Sequence, residues 1–251
     1  MMTFITNNRN RFFGIAALFI AWLIIHRIVN NNIYLPSPLS VLAALKNISQ
    51  SSDLATAIPA TSFRVFLSFL LSSTIGVTLG LLCGLSHTAY EVFEPIISIL
   101  RSIPVISVII IALIWFKSNY APVFAGFLMT FPIIWENTAK GIQSTDGNLL
   151  EMARLYRVGL AQTIKYLYLP SSKPYITAAF ISSMGLSWKV IAATEVFSLP
   201  RFGIGSKLHD SKVYLEFDSL LAWTLIIVLL SYISEIMLRL VFSINKIQKN
   251  N

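Results

Sequence analysis

Long apolar runs dominate this sequence and restrict what it can fold into. A helix needs about 20 apolar residues to cross about 30 Å of hydrocarbon, and six runs approach or exceed that length. They lie at 12–29, 61–85, 93–116, 121–139, 174–195 and 219–242. The sequence therefore predicts an all-α, polytopic membrane protein with about six transmembrane helices, in a single domain over 1–251.

The composition agrees with membrane insertion and argues against a soluble fold. Of the 251 residues 55% are hydrophobic and 12% are charged, whereas about a quarter of an average soluble domain is charged. A net charge of +8 can indicate nucleic acid, but in so apolar a chain we interpret it as a record of membrane orientation. We expect the lipid bilayer as a partner and no nucleic acid.

Lysines and arginines near the ends of the spans predict the orientation, because cytoplasmic connections carry more of them. If the chain starts inside, the inner side holds ten of these residues and the outer side holds six. This count favours cytoplasmic termini and places residues 140–173 in the cytoplasm. Pro104 and Pro132 interrupt the third and fourth spans, so each span should bend or unwind there.

Small residues repeat every four positions along the second span, which places them on one stripe of a helix. Two interpretations stay open, namely packing within the chain and contact with a moving neighbour or a second copy. We expect helix packing through Ser72, Gly76, Gly80 and Gly84, with Ser68 at the start of the stripe.

Ionisable residues at membrane depth are candidates for a translocation path, because they are costly unless paired or hydrated. Arg101 and Glu136 are expected at similar depths in the inner half of the bilayer, so they could pair as a structural bridge or line a path. Lys189 and Glu195 lie about 240° apart around the fifth span, so each needs a partner elsewhere. A structural role is favoured for Glu195.

Enzyme signatures are absent from the sequence. It contains no GxxxxGK[ST], HExxH or GxSxG motif, and its three histidines lack metal-ligand spacing. We therefore predict no catalytic residue and no metal site. If ATP is the energy source, a separate chain must bind it.

The connection 140–173 carries the most specific pattern. Asn148 and Glu151 resemble a capping box at the start of a short helix. Gly159 is expected to end that helix, and Pro170 to end a second helical stretch. The first helix has an apolar face too large for a connector, which would fit a groove on a soluble partner. This face contains Leu149, Met152, Ala153, Tyr156 and Leu160.

This connection resembles the EAA loop of permease subunits in binding-protein-dependent ABC importers. The loop pattern is Glu-Ala-Ala, three residues, Gly, nine residues, Ile, one residue, Leu-Pro. Residues 151–153 match its start with Met152 as a departure, Leu169 and Pro170 match its end, and Arg157 stands where the motif has Gly. The ATPase-coupling residues that the resemblance implies are Leu149, Glu151, Met152, Ala153, Tyr156, Arg157, Gly159, Leu169 and Pro170.

The resemblance covers nearly the whole chain and is closest to the nitrate/sulfonate/taurine-type branch. Motifs similar to those of that branch occur in the same order. They are Leu35-Pro36-Ser37-Pro38, Ser62-x-Arg64-Val65, Arg101-x-x-Pro104, Trp188 with Glu195, and Gly203-x-Gly205.

The resemblance implies a type I importer permease of the bacterial inner membrane, working as a homodimer. It also implies a cytoplasmic ABC ATPase that binds ATP, and a solute-binding protein that delivers a small solute outside; the chain itself would bind no cofactor. An ion-gradient-driven secondary transporter or channel is the main alternative, and a membrane-embedded enzyme is the third. The substrate stays open, although the +8 charge with Arg101 and Lys189 suits a small anion.

Overall fold

The computed structural model describes residues 2–29, 31 and 34–247, and over these residues the chain forms helices and no β-strand. A short π-helix, Ile164–Tyr168, joins α8 to α9. The predicted all-α fold is therefore confirmed. In chain order the α-helices are α1 (Met2–Val29), α2 (Pro38–Gln50), α3 (Ser52–Leu85), α4 (His87–Ser102), α5 (Val105–Trp115), α6 (Ala121–Gln143), α7 (Gly147–Leu155), α8 (Leu160–Thr163), α9 (Leu169–Ser198), α10 (Ile204–Val213) and α11 (Phe217–Ile247).

The centre of the bundle is α6, which packs against both α3 and α9. Its fully buried side chains include Trp135 and Ile134. A second apolar core, which includes Val41, Trp188 and Trp223, lies where α2, α3, α9 and α11 meet. Within a bilayer, such close packing holds helices together, because lipid removes most of the hydrophobic driving force between them.

Three helices of the described part are long and apolar enough to cross a membrane, namely Ser52–Leu85, Leu160–Ser198 and Phe217–Phe242. α4 and α5 make a fourth span if they are counted together. The remaining predicted spans, 12–29 and 121–139, fall on α1 and α6. Over the described residues α1 contains a shorter apolar stretch than a full span. α6 packs between α3 and α9, so fewer of its side chains face lipid and fewer need to be apolar.

The two prolines predicted to disturb spans behave differently. At Pro104 the third predicted span divides into α4 and α5, whose axes differ by 95°, which is far more than a bend within one helix. Proline restricts the residue before it to extended backbone, and Ile103 has φ −70° and ψ 127°. At Pro132, by contrast, α6 stays helical from Ala121 to Gln143. The prediction of a break is confirmed for Pro104, and no unwinding is seen at Pro132.

The small residues of α3 face α6. Ser72 Oγ lies 2.7 Å from Thr130 Oγ1, and a Cβ atom added at Gly80 would lie 2.7 Å from the Trp135 carbonyl oxygen. Gly76 and Gly84 are equally close to α6, since added Cβ atoms would meet Ile134 and Ile142. Within this chain the stripe therefore serves packing, and α6 covers the surface that a second copy would need.

The connection between α6 and α9 differs from its prediction at three points. The N-cap of α7 is Asp146, whose Oδ1 accepts a hydrogen bond from the Asn148 N–H at 2.9 Å, so Asn148 and Glu151 do not form a capping box. The helix ends at Leu155, because the chain turns through a left-handed residue, Arg157 with φ 52°. Gly159 then begins the next helix as its N-cap rather than ending the first.

Pro170 does not end the second helical stretch. The Leu169 N–H donates to the Ile164 carbonyl five residues earlier, which closes a wider π-helical turn. This turn accommodates the proline ring and its missing N–H just inside the start of α9. A single helical rod consequently runs over Leu160–Ser198.

Candidate functional site

The first candidate site is an exposed apolar surface on α7 and its flanks, which we call the inner surface. It consists of Leu149, Met152, Leu155, Tyr156 and Leu160, whose exposure ranges from 40% for Leu149 to 81% for Leu155. α7 packs extensively against no other helix of the described part. Such a contiguous apolar patch at the end of a bundle is typical of a site for another protein.

The predicted coupling residues are not all part of this surface. Ala153, predicted on the same apolar face, is 6% exposed and so turned inward. Glu151 is exposed, and Gly159 has open space around it. Leu169 and Pro170 lie further along, on the first turn of α9. Leu155 is an exposed member that helical periodicity missed, because the short α7 is uncovered on more than one side.

The second candidate site is a group of three charged side chains at the junction of α4 and α6. Arg101 Nη1 contacts Glu136 Oε2, and Lys140 Nζ lies 2.6 Å from Glu136 Oε1. The predicted Arg101–Glu136 pair therefore forms, and Lys140 extends it. Both cations are about half exposed, at 51% and 55% of their side chains, while Glu136 is 19% exposed. A small cavity beside the pair is also lined by Glu94.

Lys189 stands apart from these charges. It is exposed on α9 and forms no ion pair with the described residues. Ser182 and Ala193, which lie seven residues before and four after it, are also not buried. The helical spacing puts these residues along one uncovered stripe of a helix whose other sides are packed. An ammonium without an ion pair inside a span requires water, a path or a partner subunit beside it.

Glu195 occupies a different setting, which we call the outer anchor. It is fully buried, and its carboxylate accepts hydrogen bonds from Thr61 Oγ1 at 2.9 Å, Arg64 Nη1 at 2.5 Å and the Gly205 N–H at 2.9 Å. Arg64 also donates to the Phe202 carbonyl at 2.9 Å. The anchor thus ties α3, α9 and the start of α10 together.

Glycine is required beside this carboxylate. A Cβ atom added at Gly203 would lie 2.8 Å from Glu195 Oε2. One added at Gly205 would overlap Glu195 Cβ and the Ala192 carbonyl. The backbone can approach the acid only because these two positions carry no side chain, and the approach lets the Gly205 N–H donate to it.

Comparison with known proteins identifies the chain. Residues 76–243 match the family model described as the binding-protein-dependent transport system inner membrane component. The chain belongs to this family. It is therefore a permease subunit, integral to the inner membrane, of a binding-protein-dependent ABC importer. The match supports this reading rather than an ion-gradient-driven transporter, and it confirms a transport subunit rather than an enzyme.

Curated relatives of the permease belong to the predicted branch. It is 25% identical to a putative aliphatic sulfonates transport permease protein of Bacillus subtilis, over 82% of this chain and 75% of the relative. It is 24% identical to the taurine transport system permease protein of Escherichia coli, over 82% and 77%. A nitrate import permease protein of Synechocystis is 29% identical, over 79% and 74%. The predicted resemblance is confirmed.

A solved structure supports the fold independently of close sequence similarity. The crystal structure of an amino acid ABC transporter with histidines superposes on the permease with a TM-score of 0.58 at 16% identity. The match covers 82% of this chain and 97% of the other. At this identity the likeness shows the fold alone, which agrees with a type I importer permease.

Sequence reasoning missed the partners of Glu195. Arg64 lies three residues into the predicted second span, at the same side of the bilayer as the end of the fifth, where Glu195 lies. Two opposite charges at matching depth were the available signal, because an unpaired charge at that depth is costly. The motif residues Arg64, Glu195, Gly203 and Gly205 of the permease are thus parts of one cluster.

Proposed function

We propose that the permease couples to a cytoplasmic ABC ATPase through the inner surface, and that ATP is bound and hydrolysed on that partner. The observation that carries the proposal is the exposure of five apolar side chains around α7. A helix that presents apolar side chains suits a groove on a second protein. Coupling then requires the ATPase to bind this helix differently in its two nucleotide states.

A pair of tyrosines tests this proposal. Tyr156 on the inner surface is 79% exposed, and Tyr214 beyond α10 is 73% exposed. We expect Tyr156→Asp to abolish co-purification of the cognate ATPase, whereas Tyr214→Asp leaves it unchanged. Both variants should insert and elute as the wild type in size-exclusion chromatography. Full co-purification with Tyr156→Asp would show that the ATPase docks elsewhere.

We infer that two copies of the permease form the pathway, with the uncovered stripe around Lys189 facing it. The support is that Lys189 is exposed on a stripe of α9 and forms no ion pair with the described residues, whereas its neighbours Trp188 and Val190 are buried in the bundle. A second charged group lies on α4 and α6 and consists of Arg101, Glu136 and Lys140. We assign this group to the path together with Lys189. Glu195, whose carboxylate is saturated by partners, is assigned to structure instead.

We propose that the substrate is a small anion delivered outside by a solute-binding protein. The names of the relatives support this, because they specify aliphatic sulfonates, taurine and nitrate. A lysine beside the path would favour an anion electrostatically. With the cognate ATPase and binding protein in proteoliposomes, Lys189→Gln should lower anion uptake about ten-fold, an effect of about 1.4 kcal/mol. Lys189→Arg should retain most of the anion uptake. Equal losses of uptake in both variants would show that the positive charge is not what matters at this position.

The excess of Lys and Arg on one side supports cytoplasmic termini for the permease. Cysteine labelling tests this orientation, because the natural Cys83 is buried. A Tyr156→Cys variant should react with a membrane-impermeant maleimide only in inverted vesicles, and a Tyr214→Cys variant only in intact spheroplasts. The reverse labelling pattern would show that the membrane orientation is opposite to the one proposed.

A further inference from the structure

A groove outside the path and the inner surface lies between the start of α9 and the far end of α11. Its volume is about 260 Å³. One wall comes from the rod that begins at α8, and the other comes from Phe242 on α11. The apolar part of the lining is Leu169, Pro170, Ile176 and Phe242. An apolar channel of this size that is open to its surroundings suits the first part of an acyl chain.

Two lysines give the groove its charge. Lys165 and Lys173 both line it, and both are exposed. Among the residues that the structure describes, no carboxylate lines the groove. Neither lysine forms an ion pair with the described residues, although Lys165 Nζ lies 5.3 Å from the centroid of the Tyr166 ring. Because they are eight positions apart, the lysines lie about two turns apart along the rod. The groove therefore combines apolar walls with two lysines that have no carboxylate partner in the described part of the chain.

The surroundings place this groove at the level of lipid headgroups. Tyr166 is 65% exposed and Tyr175 is 39% exposed, and exposed tyrosines collect at membrane interfaces. Basic pockets between spans on the cytoplasmic side are typical sites for anionic lipid headgroups.

We propose that this groove binds an anionic phospholipid, with its phosphate between Lys165 and Lys173 and an acyl chain along Ile176 and Phe242. The apolar walls favour a lipid over free phosphate, which would contact only the lysines. The bound lipid would link the start of α9 to the end of α11 and so brace the rod close to where it leaves the inner surface.

Lipid binding to the purified permease tests the proposal. Native mass spectrometry in detergent measures the affinity for dioleoyl phosphatidylglycerol and, as the zwitterionic reference, dioleoyl phosphatidylcholine. Neutralising both lysines, in Lys165→Gln/Lys173→Gln, should weaken phosphatidylglycerol binding about 25-fold, or about five-fold for each lysine. Lys165→Arg/Lys173→Arg, which keeps the charges, should bind nearly as the wild type does.

The matched control is Lys46→Gln/Lys212→Gln, which removes two exposed lysines far from the groove in sequence. This control should bind phosphatidylglycerol as the wild type does. An equal loss in the control would overturn the proposal in favour of general charge attraction. Displacement of the lipid by millimolar inorganic phosphate would reassign the groove to a free anion. Unchanged lipid binding by the groove variant, with loss of ATPase co-purification, would reassign it to the ATPase.

Discussion

The outer anchor and the inner surface differ in how completely their side chains find partners within the chain. At the anchor every polar group of Glu195 meets a donor, and glycines let the backbone close around it. At the inner surface apolar side chains stay uncovered on a helix of only nine residues. The first arrangement fixes geometry within the chain, whereas the second leaves apolar side chains available for the ATPase that we propose as its partner. Substitutions at the anchor should therefore lower stability, and those at the inner surface should lower association.

The strongest test of this contrast removes the charge of the anchor. Glu195→Gln leaves Arg64, which is 7% exposed, without its counter-charge. Breaking a buried pair costs about 3–5 kcal/mol, so the unfolding free energy in detergent should fall by that amount. The exposed Glu216 gives the matched control, and Glu216→Gln should leave unfolding unchanged. An anchor variant as stable as its control would show that the ion pair does not hold α10 to the bundle.

The second-largest loss of stability is expected from a substitution at the interface between α3 and α6. An added Cβ atom at Gly80 would lie 2.7 Å from a backbone oxygen, whereas one at Gly14 would meet nothing within 4 Å. Overpacking of this kind costs about 1–3 kcal/mol, so Gly80→Ala should lower the midpoint of thermal unfolding. Gly14→Ala should maintain or slightly raise it. If both variants have the same unfolding midpoint, the close contact between α3 and α6 does not contribute to stability.

A stabilising change is expected beside the inner surface. Arg157 has φ 52°, a conformation in which a side chain is strained and glycine is not. Arg157→Gly should therefore raise the unfolding free energy by about 0.5–1 kcal/mol, since relief of strain outweighs the extra freedom of the unfolded chain. Val158→Gly, at a neighbouring residue without positive φ, should lower it. A loss in both would mean that the Arg157 side chain makes the larger contribution.

The smallest effect on stability is expected on the inner surface itself. Leu155 is 81% exposed, so Leu155→Gln should change the unfolding free energy by less than about 0.5 kcal/mol. Ala153, two residues earlier and 6% exposed, gives the opposite case, and Ala153→Gln should destabilise clearly. Chemical denaturation of both variants measures the difference. Similar losses would show that α7 is packed as tightly as the core.

The elements that the sequence predicted well depend on local chemistry. Glycines every four residues predicted the close face of α3, and Pro104 predicted the end of α4, because both effects act within one helix or one turn. The coupling region was predicted as two short helices joined by a turn, although Asp146 rather than Asn148 caps α7. The carboxylate of Asp146, two residues before Asn148, accepts the hydrogen bond at the start of the helix and so makes Asp146 the N-cap.

The elements that were missed depend on groups distant in the chain. Glu195 is 131 residues from Arg64 and 134 from Thr61, so its partners follow only from the packing of α3 against α9. The continuation of the rod through Pro170 also escaped prediction, because one π-helical turn changes what a proline does to a helix. Arg157 takes the conformation that the family's glycine would suit, and this supports the register of the coupling motif.

The rod Leu160–Ser198 joins the two regions directly. At 1.5 Å per residue it is about 58 Å long, with the edge of the inner surface at one end and Glu195 in its last turn. It can therefore act as a lever, in which a tilt of about 5° about the end next to the inner surface displaces the far end by about 5 Å. Because the Gly205 N–H at the start of α10 is hydrogen-bonded to Glu195 at that end, such a movement would be passed on to α10.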